Sequence, residues 1–274
     1  MQIIRTIADL RGAVAARRDV TLVPTMGNLH DGHLSLVRMA RQRSGIVVAS
    51  VFVNPLQFAP HEDFATYPRT LERDCELLAN GGCDIVFAPA EQELYPEPQG
   101  YKVHPPGLLA DILEGQVRPG FFVGASTVVL KLFNLVQPSA AVFGKKDYQQ
   151  LLVIRYMVRQ LALSIDIVAA ETVRDPSGLA LSSRNGYLND RQRVEAAQLN
   201  TVLRNVTAAL RAGRTDFSHL EREAADVLTA RGWRPDYIAI RNQSNLQAPV
   251  NGERLVVLGA AKLGDTRLID NLEV

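Results

Sequence analysis

Cysteine is scarce in this sequence. Its 274 residues include two cysteines, Cys75 and Cys83, with no second pair and no His–Cys cluster beside them. This argues against a disulfide scaffold and against a zinc finger. We interpret both residues as reduced structural thiols, which are typical of a cytoplasmic protein.

Long apolar runs and an excess of one charge are also missing. The best candidate run, Ile46–Val53, has eight residues and contains Ser50, whereas a transmembrane helix needs about 18. Arg5, Asp9 and Arg11 stand where a signal peptide would need an apolar core. Lys and Arg total 30 against 29 Asp and Glu, a net charge of +1. We therefore expect neither a membrane nor a nucleic acid as partner.

Short apolar runs alternate with helix-like segments over the first two thirds of the chain. Runs rich in Val, Ile and Phe are typical of buried parallel strands. The predicted strands are Val20–Pro24, Ile46–Val53, Asp84–Ala88, Ala140–Phe143 and Ile165–Ala170. The predicted helices are Gly32–Ser44, Arg69–Asn80, Thr127–Val136 and Asp147–Leu163. This alternation predicts an α/β fold with a Rossmann-like parallel sheet.

The pattern changes near residue 175. Asp175-Pro176-Ser177-Gly178 is a strong turn signal. After it the sequence predicts two helices and three short strands: Asp190–Ala212, Ser218–Ala230, Tyr237–Arg241, Arg254–Leu258 and Arg267–Ile269. We predict a Rossmann-like domain over residues 1–175 and a smaller α+β domain over residues 176–274.

The stretch from Pro24 to His33, PTMGNLHDGH, is the most informative about chemistry. It follows the first predicted strand and opens a predicted helix, where helix N–H groups bind anions in open α/β sheets. Gly27 permits a tight turn, and Gly32 lets a phosphate approach the backbone. His30 shares a helix face with His33, so both imidazoles can stabilise charge that develops on a phosphate.

Three other interpretations of this stretch stay open. A metal site would need further ligands, and only Asp31 is near in sequence. The histidines could also be a structural pair at a helix start. A dinucleotide-binding loop fits poorly because G-x-G-x-x-G is absent.

The stretch resembles the HxGH signature of adenylyl-transferring proteins and, with its Pro-Thr-Met-Gly, the pantothenate synthetase family in particular. Five more motifs in order extend the resemblance along nearly the whole chain: Phe52–Phe58 (FVNPLQF), Tyr67–Thr70 with Asp74, Gly144–Gln150 (GKKDYQQ), Gly178–Asn185 (GLALSSRN) and Arg267–Asn271 (RLIDN). Two positions depart from the family pattern. Ser177 replaces the usual Asp, and Phe121 replaces the usual His of RPGHFxG.

This resemblance implies an enzyme that condenses (R)-pantoate with β-alanine, giving pantothenate, AMP and pyrophosphate through a pantoyl-adenylate. It implies ATP as co-substrate with Mg²⁺, and a homodimer. No covalent protein nucleophile is required. Because an acyl-adenylate is prone to hydrolysis, we expect the small C-terminal domain to act as a lid.

The resemblance also assigns residues to roles. The catalytic set is His33, as the acid-type catalyst, with His30, Lys146, Ser182, Ser183 and Arg184. The ATP-binding set is Pro24, Thr25, Met26, Gly27, His30, His33, Gly144, Lys145, Lys146, Asp147, Val173, Leu181, Ser182, Ser183 and Arg184. The substrate-binding set is Gln57, Gln150, Met26 and Tyr67, and Asp74 is the candidate to approach Mg²⁺, directly or through water.

Residue chemistry agrees with these roles but does not require them. Amides offer a donor and an acceptor to pantoate, and hydroxyls with a guanidinium suit pyrophosphate. Without the resemblance, Lys145-Lys146 would be two solvated lysines, and Ser182–Asn185 an ordinary turn. Asp74 would be a solvated helix residue.

Two other functions stay open. A nucleotidyltransferase that adds AMP or CMP to a phosphorylated alcohol shares HxGH but does not need the Asn54–Phe58 and Gln149-Gln150 pockets. A non-catalytic RNA-binding module would show a basic stripe or stacking aromatics, whereas here the charge is balanced and aromatics make up 6% of the chain.

Replacing Phe121 by His tests the departure in the RPGFFVG motif. None of the assigned groups lies there, so we expect Phe121→His to change turnover only modestly in a steady-state assay of pantothenate formation. A gain of about tenfold, equivalent to ~1.4 kcal/mol of barrier, would show that the position matters more than we infer.

Overall fold

A six-stranded parallel sheet, in the order β1-β4-β3-β2-β5-β6, is built from the apolar runs of the first 170 residues. The computed structural model describes residues 1–43, 45–59 and 62–274. The strands are β1 (Gln2–Ile4), β2 (Val20–Thr25), β3 (Ile46–Val51), β4 (Ile85–Phe87), β5 (Ala140–Gly144) and β6 (Asp166–Ala170). Nearly every residue of β2 and β3 is buried, as in strands covered on both faces. The α/β prediction is confirmed.

Helices connect these strands. They are α1 (Ile7–Val14), α2 (Asp31–Arg43), α3 (Leu71–Asn80), α4 (Glu91–Leu94), α5 (Gly107–Ala110), α6 (Glu114–Val117), α7 (Phe121–Val136) and α8 (Tyr148–Gln160), with 3-10 turns at Pro55–Gln57 and Lys145–Asp147. The apolar stripe of α2 packs Val37 and Ala40 into the core formed with β3. In the part of the chain that the structure describes, no helix is both long and apolar enough to cross a bilayer.

The C-terminal region forms a three-stranded antiparallel sheet, in the order β7-β8-β9. Its elements are α9 (Asp190–Arg211), α10 (Phe217–Ala230), β7 (Arg234–Asn242), β8 (Leu255–Leu263) and β9 (Thr266–Glu273), preceded by a 3-10 turn at Ser183–Tyr187. The two helices and the sheet share a core that contains Leu203, Leu228 and Ile240. A Cβ added to Gly259 would lie 3.1 Å from side-chain carbons of both Leu199 and Leu203. The lack of a side chain at Gly259 therefore lets α9 pack closely against β8.

The fold divides into two units, which we describe separately. The first comprises residues 1–144 and 153–170, and the second comprises residues 145–152 and 171–274. Our boundary at residue 175 came from the Asp175–Gly178 turn, but the chain has already left the parallel sheet after Ala170. The segment that begins at Lys145 groups with the second unit because Asn271 and Glu273 bind it.

The structure differs from the sequence predictions at several elements. β1 was missed because it is a three-residue edge strand with two exposed side chains, so Val20–Pro24 belongs to the second strand and not the first. α7 begins at Phe121 rather than at Thr127, since the glycine at 124 hid the helical pattern. The predicted last residue of α2, Ser44, lies outside the described residues.

The strand order reverses between β2 and β5. From β2 the chain goes to β3 and β4 on one side, and it returns to β5 and β6 on the other. Ligands of doubly wound sheets bind at the carboxyl ends of the strands beside such a reversal. The loop that carries His30 follows β2, and Gly144 ends β5. The first unit therefore brings two predicted ATP-binding segments to this edge.

Gly124 has no room for a side chain. A Cβ there would lie 2.1 Å from the carbonyl oxygen of Leu56, a backbone atom that cannot move away alone. We expect Gly124→Ala to lower the free energy of unfolding by roughly 3 kcal/mol, as measured by urea denaturation. Gly12→Ala in α1, where nothing lies within 4 Å of an added Cβ, is the control and should stabilise by about 0.5–1 kcal/mol. Equal stability of the two variants would contradict this packing.

Candidate active site

The loop between β2 and α2 turns sharply. Gly27 has φ +82° and Asn28 has φ +50°, which is left-handed backbone that Gly and Asn tolerate best. Thr25 fixes the start of the loop, because its Oγ1 donates to the carbonyl of Ser50 at 2.7 Å and accepts from the N–H of Gly27 at 3.3 Å. Pro24 lies within β2 itself, beside β3. The Pro-Thr-Met-Gly part of the motif therefore shapes the loop.

The two histidines lie side by side where α2 begins. Their ring centroids are 4.1 Å apart. Nδ1 of His30 accepts from the N–H of Gly32 at 3.1 Å, and Nδ1 of His33 accepts from the N–H of His30 at 3.3 Å. A ring nitrogen that accepts a hydrogen bond carries no proton, so each neutral ring carries its proton on Nε2. The pair is thus arranged with both Nε2 atoms as donors, which suits an anionic oxygen.

A metal site at the histidines has little structural support. Among the residues that the structure describes, no group of three or more His, Cys, Asp and Glu side chains could hold a metal ion. Asp31, the nearby acid, is exposed on α2. Backbone N–H groups already occupy both Nδ1 atoms.

Asp74 does not fit the predicted role beside Mg²⁺. The residue is 0% exposed. Its Oδ2 accepts from the N–H of Asn28 at 2.9 Å and from Oγ1 of Thr70 at 3.0 Å, and its Oδ1 accepts from the N–H of Leu29 at 2.8 Å. Magnesium binds carboxylates that can also meet phosphates and water. A buried carboxylate with three donors around it holds the histidine loop instead.

Gln57 and Met26, two of the predicted substrate-binding residues, are in contact. Nε2 of Gln57 lies 2.9 Å from Sδ of Met26, and its Oε1 accepts from Nδ2 of Asn54 at 3.1 Å. The hydroxyl of Tyr95 donates to Oδ1 of Asn54 at 2.9 Å. Asn54 and Tyr95 therefore orient Gln57, a role that we did not predict. Asn54 stands in the FVNPLQF motif, whereas nothing in the sequence singles out Tyr95.

A cavity of about 280 Å³ borders the turn that carries Gln57. Phe121 lines it, with its ring centroid 3.9 Å from the guanidinium carbon of Arg118. Arg118 also pairs with Glu62 at 2.6 Å. The usual histidine is thus replaced by a ring that stacks on a cation. Tyr67, the third predicted substrate residue of this unit, is buried with its ring against Phe58.

In the second unit, Asn271 holds the turn that carries Lys145 and Lys146. Its Nδ2 donates to the carbonyl oxygens of both lysines, at 2.8 and 2.9 Å. The neighbouring Asp270 forms a bidentate pair with Arg174 at 2.7 and 2.8 Å, and Arg174 also donates to the carbonyl of Asn271. The sequence alone assigns no role to the closing RLIDN motif. Its role in the structure is to fix the lysine turn.

The two lysines have different surroundings. Nζ of Lys145 lies 2.6 Å from Glu171 and 2.8 Å from Glu273. Burial acts to lower the pKa of Lys145, but its bonds to the two carboxylates outweigh burial and raise the pKa. For Lys146, the described parts of the chain contain no carboxylate within salt-bridge distance. The ammonium of Lys145 is thus engaged by two carboxylates, and Lys146 is the better candidate for a phosphate.

The remaining predicted residues of the second unit lie at three places: beside the Val173–Leu181 contact, on the 3-10 turn at Ser183–Tyr187, and at the start of α8. The N–H of Leu181 donates to the carbonyl of Val173 at 3.0 Å, which brings these two residues together. Oγ of Ser182 accepts from the N–H of Arg184 at 3.3 Å and caps the start of the 3-10 turn. The hydroxyls of Ser182 and Ser183 and the guanidinium of Arg184 therefore lie on one turn. Exposed Asp147 and half-buried Gln150 flank the start of α8.

Neither cysteine is a nucleophile at neutral pH. Both thiols are free and buried. Burial raises the pKa of Cys83 to about 11 and also raises the pKa of Cys75. The reactive thiolate is therefore scarce at both positions.

Comparison with known proteins gives a consistent result. The profile of a family described as pantoate-beta-alanine ligase matches residues 2–273. The chain is 59% identical over an alignment of 285 residues to a curated pantothenate synthetase from Leptothrix cholodnii, with both chains covered completely.

Solved structures agree with the curated relative. A pantothenate synthetase of Thermus thermophilus is 47% identical with a TM-score of 0.93, covering 100% of this chain and 99% of that chain. The pantoate-beta-alanine ligase of Francisella tularensis, complexed with beta-gamma ATP and beta-alanine, is 34% identical with a TM-score of 0.81, covering 100% and 97%.

Replacing Asn271 by Ala tests the clamp on the lysine turn. Two carbonyl groups lose a donor that is 6% exposed, so we expect Asn271→Ala to lower the free energy of unfolding by about 1–3 kcal/mol in urea denaturation. Glu273→Gln, which weakens a more exposed ion pair, should cost less than ~1 kcal/mol. If both variants lost the same stability, Asn271 would not be the main clamp.

Proposed function

The chain belongs to the pantoate–β-alanine ligase family, whose reaction condenses pantoate with β-alanine using ATP, and we propose that its histidine pair stabilises the adenylation step. In that step the pantoate carboxylate attacks the α-phosphorus of ATP and pyrophosphate leaves, which gives pantoyl-adenylate. The amine of β-alanine then attacks the acyl carbon and AMP departs.

The observation that carries this proposal is the orientation of the two imidazoles. Each Nδ1 is bound to a backbone N–H, which leaves Nε2 as the proton-bearing nitrogen of the neutral ring. Negative charge on the phosphate oxygens increases as the α-phosphorus is attacked, and preoriented donors stabilise it. One such donor is worth roughly 10²–10³ in rate. We assign His33 as the acid-type catalyst and His30 as its neighbour on the triphosphate.

Pantoate binding is assigned to amide groups. The thioether of Met26 is a weak acceptor, so an oxygen of pantoate can replace it on Nε2 of Gln57 at little cost. Asn54 and Tyr95 keep the amide of Gln57 oriented while that partner changes. Gln150 offers the same chemistry on α8. This support for an acid-binding amide favours the ligase over the nucleotidyltransferase alternative.

The second unit supplies groups that suit phosphate oxygens. We assign Lys146, Ser182, Ser183 and Arg184 to the phosphates of ATP, since ammonium, guanidinium and hydroxyl groups form charge-assisted hydrogen bonds to them. Mg²⁺ bound to ATP would neutralise charge on the phosphates, with phosphate oxygens and water as its ligands. Asp74 takes no part in its binding.

Two further parts of the proposal concern the whole protein. The family resemblance supports a homodimer, and two free, buried thiols are typical of the cytoplasm. Light scattering of the purified protein tests the homodimer. A monomer at micromolar concentration would contradict this proposal.

The first experiment is pantoate-dependent exchange of labelled pyrophosphate into ATP, with Mg²⁺ and without β-alanine. We expect exchange in the native enzyme and a loss of roughly 10²–10³-fold in His33→Ala. His219→Ala, at an exposed histidine of α10, is the control and should exchange normally.

Two results would oppose the assignment. Full exchange in His33→Ala would remove His33 from the adenylation step. No exchange in a native enzyme that binds ATP would mean a different acid substrate or a first step that waits for the amine. Adding β-alanine and measuring AMP separates these two cases.

A further inference from the structure

The carboxylate of Asp74 receives two successive backbone N–H groups of the histidine loop. The N–H of Asn28 reaches one oxygen at 2.9 Å and the N–H of Leu29 reaches the other at 2.8 Å. Thr70, one turn earlier on the same segment, donates its hydroxyl at 3.0 Å. All three donors converge on a side chain that is 0% exposed. The loop is therefore tied to α3 across 46 residues of sequence.

This contact reaches the imidazoles through the backbone. Asn28 keeps φ +50°, in the sparsely occupied left-handed region of backbone conformation. The next amide after the bound pair belongs to His30, and that N–H is the donor that holds Nδ1 of His33. A shift of the backbone at Asn28 and Leu29 would move both rings.

We infer that Asp74 is a positioning residue for adenylation, which sets the histidine pair through the backbone of residues 28–29. This inference rests on the proposed role of the histidines. It replaces the metal-binding role that we expected from the sequence for this acid.

The chemistry of the contact requires a carboxylate. Three donors point at Asp74, and a carboxylate offers acceptors on both oxygens. An amide of the same shape offers one acceptor oxygen and an NH₂ donor. In either orientation of an Asn side chain, the NH₂ group faces a backbone N–H of Asn28 or Leu29. Asp74→Asn therefore releases one end of the loop with almost no change in volume.

The test compares Asp74→Asn with Glu76→Gln, the same change at an exposed residue of α3. The assay is pantoate-dependent pyrophosphate exchange over a range of Mg²⁺ concentrations. We expect the exchange kcat of Asp74→Asn to fall about 10²-fold, the effect of a misplacement near 1 Å. The KM values and the half-saturating Mg²⁺ concentration should stay unchanged, and Glu76→Gln should match the native enzyme.

A second assay separates positioning from general damage. Preformed pantoyl-adenylate is mixed with β-alanine, so the reaction bypasses the adenylation step. We expect Asp74→Asn to react at close to the native rate. A parallel loss in both assays would overturn the inference, because it would indicate a wider structural role.

A metal ligand would behave differently. Loss of a metal ligand or its support weakens metal affinity by roughly 10–100-fold, so excess Mg²⁺ would restore exchange in Asp74→Asn. That result, or a native exchange rate in this variant, would overturn the inference. If the native enzyme showed no exchange and formed no AMP after β-alanine was added, the proposed function would have failed instead.

Thr70→Val keeps the test decisive if Asp74→Asn does not fold. It removes one of the three donors and leaves both backbone bonds in place. We expect a smaller fall in exchange kcat, again at an unchanged Mg²⁺ requirement. A raised Mg²⁺ requirement in Thr70→Val would count against the positioning role.

Discussion

Backbone N–H groups that turn away from a sheet must find acceptors when water is excluded, and this requirement governs the site. Where β2 ends, two such groups meet the carboxylate of Asp74. In the next residues the acceptors are the ring nitrogens of the histidines themselves. The imidazoles of His30 and His33 are therefore part of the hydrogen bonding that shapes their own loop. Loop conformation and ring orientation are set together.

In the second unit a buried side chain also holds a turn by its backbone, but here the side chain is the donor and the backbone is the acceptor. There the turn that carries Lys145 and Lys146 presents carbonyl groups, and the amide of Asn271 supplies the donor to both. Arg174 pairs with the neighbouring Asp270 and binds the carbonyl of Asn271. In each unit a buried side chain distant in sequence holds a functional turn by its backbone.

Much of this architecture could be predicted from the sequence, since it follows from local patterns. The period of the apolar residues gave the parallel sheet, and PTMGNLHDGH located the loop at its edge. The contacts of Asp74 and Asn271 could not be predicted, because each depends on backbone partners at least 45 residues away. The predicted α7 was too short because Gly124 weakens the helical pattern. The structure needs a glycine at this position, since the helix backbone lies against the carbonyl group of Leu56. The ion pairs of Lys145 could not be predicted either, because Glu171 and Glu273 lie elsewhere in the chain.

Residue type alone therefore does not show which charged residues of this site can meet a ligand. Burial and hydrogen-bond partners distinguish these residues from one another. Asp74 and Lys145 are charged residues inside family motifs, and both resemble ligands by their chemistry. Asp74 is fully buried with three donors, and Lys145 holds two carboxylates, so both charges have partners within the protein. Lys146 differs from Lys145 by one position and has no such carboxylate within the described chain. In each motif one charged residue thus binds other parts of the protein, Asp74 through two backbone N–H groups and Lys145 through two carboxylates.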